Sequence, residues 1–128
     1  MDKRQVNPWT WQDQAGFSQA WRVEGAESVI FISGQAPISA DGQLVGDDFE
    51  TQARQTFENL QAVLAESGAT LDAVVKLTVY FTDIAKLRDF TQIKAEFMTG
   101  KQPASTALEV RSLARPEMMI EVEAIAVA

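Results

Sequence analysis

Between Phe49 and Thr82 the hydrophobic period changes once, from helical to alternating, and that change narrows what the chain can become. Phe49, Ala53, Phe57, Leu60 and Leu64 recur at steps of three and four, the spacing of one helix face. Asp47 or Asp48 stands where a capping carboxylate belongs, and Gly68 where a left-handed residue commonly closes a helix. A few residues later "DAVVKLTVYFT" (72–82) alternates. Val75, Leu77, Val79 and Phe81 fall on one side, Val74, Lys76, Thr78 and Tyr80 on the other. A helix feeding directly into a half-buried strand predicts a helix packed on a sheet.

The rest of the chain extends this pattern. "FSQAWRV" (17–23) and "SVIFIS" (28–33) read as two short strands joined in a hairpin by the Gly turn of "EGAE". "GQAPISADGQLVGDD" (34–48) is punctuated as a loop. Asp83 caps a second helix that runs to about Met98. "ASTALEVRSL" (104–113) and "EMMIEVEAIAVA" (117–128) are two further strands. The predicted order is β-β-α-β-α-β-β, an α+β fold with a mixed sheet and two helices on one face. Residues 1–16 read as an extended N-terminal arm on a single domain spanning 1–128.

Composition excludes several kinds of chemistry. Eleven basic against 18 acidic residues leave a net charge of −7, unsuited to a nucleic-acid partner. There is no Cys, so no thiolate nucleophile and no zinc–sulfur site. There is no His, the commonest general base near neutral pH. No loop has the carboxylate spacing of a metal site, and neither a metal nor a cofactor is expected. "MDKRQVNPWTWQDQ" carries no apolar run of the kind that enters a membrane, so the expected location is cytoplasmic.

Alternation sorts the strands into faces. Leu108 and Val110, with Ile120, Val122, Ala124 and Ala126, are expected beside Val75, Leu77, Val79 and Phe81 under the helices. The other face collects Lys76, Thr78, Tyr80, Ser105, Ala107, Glu109, Arg111, Glu121, Glu123, Ile125 and Val127, a mixed set. Such a face is either a wet outer surface or a polar interface between copies whose clefts hold a ligand.

Five runs, in order, resemble one family. "GFSQAW" is similar to a G-P-Y-S-Q-A run and "FISGQAPIS" to S-G-Q-x-P. "TQARQTFENLQAVLAESGATLDAVVKLTVYFTDI" is similar to a central helix–strand block. "PASTALEV" and "IEVEAIAV" are similar to P-A-R-S-x-x-E-V and I-E-I-E-A-I-A. Over residues 16–128 the chain resembles the RidA/YjgF family, the reactive-intermediate deaminases once labelled L-PSP endoribonucleases. The resemblance implies a chorismate-mutase-like fold and a homotrimer with three inter-subunit clefts, each taking a small-molecule ligand. It also implies hydrolysis of enamines and imines to a keto acid and ammonia.

The resemblance assigns roles to positions. Glu121 holds the place of the glutamate that positions or activates water, and Ser33 that of the S-G-Q serine. Phe17 stands for a tyrosine, Thr91 for an asparagine on the second helix, and Ala107 for a cysteine. Ser105 stands for the arginine that grips the substrate carboxylate with two prongs, a task suited to a planar guanidinium. Arg111, six residues on and about 20 Å along an extended strand, is too far to replace it. Loss of one arm of such a charge-assisted clamp costs on the order of 2–5 kcal/mol in binding. Weak or absent activity on 2-iminopropionate-type substrates follows. The expected function is a ligand-binding trimer, either a hydrolytic deaminase with altered preference or a non-catalytic ligand-binding or chaperone-like assembly. An acidic chain without histidine argues against the nuclease label.

Overall fold

Helix α2 (Phe49–Glu66) buries the face the spacing assigns to it, with Phe49, Ala53, Phe57, Leu60 and Leu64 all under a tenth exposed. Asp48 rather than Asp47 caps it, accepting from the Thr51 amide at 2.7 Å. Gly68 follows it at φ 76°, a left-handed angle that glycine adopts without steric cost. The computed structural model describes all 128 residues. No helix is long and apolar enough to cross a membrane.

The main sheet has four strands in the order β3 (Val29–Gln35), β6 (Ile120–Val127), β4 (Val74–Phe81) and β5 (Ala104–Glu109). Strand β6 runs antiparallel to both β3 and β4, whereas β5 pairs parallel with β4. Two helices connect them. Helix α2 lies between β3 and β4, and α3 (Leu87–Phe97) lies between β4 and β5 behind a 3₁₀ turn at Ile84–Lys86. Asp83 caps that turn through the Ala85 amide at 3.0 Å. One core joins Phe57, Leu60, Phe90 and Ile93 of the helices to Leu77, Val79, Phe81, Ile120 and Val122 of the sheet. Phe57 stacks on Phe90 and Phe97 with ring centroids 5.5 and 4.9 Å apart.

Three features depart from the sequence reading. The first concerns residues 1–16, where the extended arm carries regular structure of its own. Asp2–Val6 forms β1, which pairs antiparallel with β2 (Ala20–Glu24), and Gln12–Ala15 forms a short helix α1. Strand β2 therefore spends its edge on β1 and makes no hairpin with β3. In the second, a bulge between Val74 and Lys76 shifts the start of β4, so Val74 and not Val75 faces the core. In the third, the faces of β5 are inverted, with consequences for the site.

Candidate functional site

Strand β5 aligns Ser105 with Leu77 and Ala107 with Val79. Neighbours in register point to the same side of a pleated sheet. Ser105 and Ala107 therefore stand on the helix side, and so does Glu109, whose carboxylate accepts from the Ile84 amide at 3.0 Å. The expectation that they share the open face with Glu121 is wrong. Thr106 takes the open face instead, where its hydroxyl accepts from Lys76 Nζ at 2.9 Å, and Leu108 aligns with Tyr80.

On the helix side these residues build a groove. Phe17, Thr91, Ser105 and Ala107 line it together with Val79, Phe90 and Lys94, and it encloses about 150 Å³. Phe17 arrives there because its neighbours are pinned. Gly16 turns the chain at φ 77° after α1. The Ser18 amide then donates to Pro103 O at 3.0 Å, and the buried Ser18 hydroxyl to Gln102 O at 2.5 Å. Trp11 closes edge-on over the Phe17 ring at 5.6 Å. The Thr91 hydroxyl is turned back on its own helix, donating to Leu87 O at 3.0 Å.

Lys94 was missing from the expected set. Leu87, Phe90, Thr91 and Lys94 share one face of the helix, Phe90 lying three residues and Thr91 four from Leu87 and Lys94 four and three from them, so a cation interrupts the groove-lining face. That interruption was the available signal. The residue is 4% exposed, and its Nζ donates to Gly16 O at 2.6 Å. Burial pushes its ammonium down to about 8, because a charge removed from water loses hydration.

The other two expected residues lie across the sheet. Strand β3 bulges between Ile32 and Gln35, so Ser33 and Gly34 together oppose one residue of β6. The Glu121 carboxylate lies directly over Gly34, where any side chain would collide with it. Ser33 is exposed and borders a shallow depression of about 330 Å³ with Phe31, Lys76, Thr78 and Glu123. In the same face the Tyr80 hydroxyl donates to Glu123 at 2.8 Å, a bond that raises the tyrosine pKa. No group of three or more carboxylates converges to hold a metal ion.

Thus Phe17, Thr91, Ser105 and Ala107 meet on one side, and Ser33 and Glu121 lie on the other, Glu121 against the Gly34 next to Ser33. The sheet separates them, so no small molecule touches both sets within one chain. The open face also carries exposed apolar surface: Phe31 is 78% and Val29 52% exposed.

The profile of the family described as endoribonuclease L-PSP matches residues 11–128. A RutC family protein of Pyrococcus abyssi is 38% identical over 111 residues, covering 86% of this chain and 84% of that one. Protein DfrA of Myxococcus xanthus is 37% identical over 112 residues, covering 87% and 84%. Among solved structures, the Rid family protein YyfB of Yersinia pestis, itself of unknown function, superimposes with a TM-score of 0.90 at 35% identity over the whole of both chains. RidA from an Antarctic Psychrobacter gives a TM-score of 0.75 at 29% identity over 88% of each.

Proposed function

The chain belongs to the endoribonuclease L-PSP family, the RidA/YjgF proteins, and from that premise we propose that it is a homotrimer binding a small metabolite in clefts between subunits. There it hydrolyses an enamine or imine. The observation that carries this reading is the division of the site across the sheet. A groove holding Phe17, Thr91, Ser105 and Ala107 becomes a complete site only against the Ser33–Glu121 edge of another copy. The exposed Phe31 and Val29 on the open face favour such a contact, since large apolar side chains gain by being covered.

In this reading Glu121 takes a proton from water as the water oxygen attacks the imine carbon. It then returns the proton to nitrogen, and a second transfer moves the adduct's hydroxyl proton to nitrogen as the C–N bond breaks, leaving a carbonyl and ammonia. Ser33 and the bulged backbone beside it hold the ligand from the same wall. Ser105 at the arginine position supplies a hydroxyl and no charge, which accounts for an altered substrate preference. Hydrolysis of 2-iminopropionate is expected to be about two to three decades less favourable than with an arginine there.

The experiment generates small imines in situ and follows ammonia release by the wild type and by Glu121→Gln. Turnover reduced at least about a hundredfold in the variant supports the enzyme. Binding without turnover in the wild type supports the second reading, a non-catalytic ligand-binding or chaperone-like trimer. That alternative draws its support from the side chains of Phe17, Ser105 and Ala107, none of which ionises near neutral pH.

A further inference from the structure

With the groove read as a ligand site, it holds one buried charge, that of Lys94, without a counter-charge. Lys94 Nζ is buried and has one acceptor, Gly16 O, where an ammonium has three donors to place. No carboxylate lies within ion-pair distance of it: the ion pairs of the chain are Arg22–Glu24, Arg54–Glu50 and Arg54–Glu96. Nor do the walls around it supply one. Ala15 and Phe17 come from the N-terminal segment, Val79 from β4, and Ser105 and Ala107 from β5. Its own helix adds Leu87, Phe90 and Thr91, and none of these side chains ionises near neutral pH. A buried cation on the wall of a small, mostly apolar space is costly unless an anion joins it.

We propose that Lys94 is the anion anchor of the groove, and that the ligand is a small monocarboxylate held by its ammonium. About 150 Å³ equals the volume of about five water molecules, enough for a carboxylate with a short chain and too little for a large metabolite. The anchor comes from the helix wall, not from strand β5 at Ser105. It is also a point charge and not a two-pronged fork. A carboxylate held this way is turned relative to one gripped from the strand. This explains how the chain can retain carboxylate recognition while losing activity on substrates aligned for an arginine.

Propionate and its uncharged isostere propionamide test this without any turnover. Calorimetric titration of the wild type should show propionate binding at least about tenfold more tightly than propionamide. Lys94→Met should abolish that preference, and Lys94→Arg should retain part of it. Propionate affinity should be flat between pH 6 and 7 and fall above about 8, where the free ammonium loses its proton. Equal binding of the two ligands by the wild type would overturn the proposal, and so would unchanged propionate affinity in a folded Lys94→Met protein. The two readings fail separately. Lys94-dependent propionate binding without imine hydrolysis removes the enzyme and leaves the anchor. Hydrolysis indifferent to a carboxylate does the reverse.

Discussion

Lys94 shows how one residue sets stability against recognition. In the unfolded chain its ammonium titrates near the ordinary 10.5, and in the fold near 8. The folded pKa is depressed, so between about 8 and 10.5 the unfolded state binds more protons and stability rises with pH. Below about 8 the full penalty applies, on the order of 3 kcal/mol. Lys94→Met removes that penalty together with the hydrogen bond to Gly16, which is worth about 1 kcal/mol. The variant should be about 2 kcal/mol more stable than the wild type at pH 7 by urea unfolding. Its advantage should shrink as pH climbs from 8 to 10. A less stable variant, or a gap independent of pH, would contradict this account of the site. A buried cation kept at such a cost is the pattern expected where function opposes stability.

At the scale of elements, α2 does more than cover the sheet. Gln52 is fully buried on it, donating to Gly46 O at 3.1 Å and Glu117 O at 2.9 Å, and accepting from the Met119 amide at 2.8 Å. One side chain thus ties the loop before α2 to the chain entering β6. Gln52→Leu leaves three backbone groups unpaired and should cost about 2–4 kcal/mol in denaturant unfolding. A loss below about 0.5 kcal/mol would mean that these groups find other partners. The helices were legible in the sequence because Phe49 to Leu64 and the caps at Asp48 and Asp83 agree with one another. Strand β5 was not, because "ASTALE" has one strongly apolar residue, Leu108, and a strand's phase turns on a single residue. Its phase is set from outside, by pairing with β4 and by Ser18 bridging to Ala104. Strand β1 escaped notice for a related reason: "DKRQV" is polar and half-exposed, and it becomes a strand only through β2. Phe17, Ser33, Thr91, Ser105, Ala107 and Glu121 were named from family resemblance. Their division between two faces depended on the β5 register and the Ser33–Gly34 bulge, neither of which local patterning encodes.

For the whole molecule, that division makes the proposed site a property of the assembly. In the proposed ring of three copies one head-to-tail contact repeats, so each groove would face a neighbour's bulge and never its own. The absence of cysteine allows this arrangement to be tested with introduced thiols alone. The doubly substituted chain Ser33→Cys, Ala107→Cys should be joined by a short bis-maleimide into covalent dimers and trimers on a denaturing gel. Each single variant should stay at the subunit mass, because a head-to-tail contact does not bring identical positions together. Covalent trimers from the double variant alone are the result predicted here. A double variant that remains a single-subunit band would contradict the claim that two copies of the chain share the site.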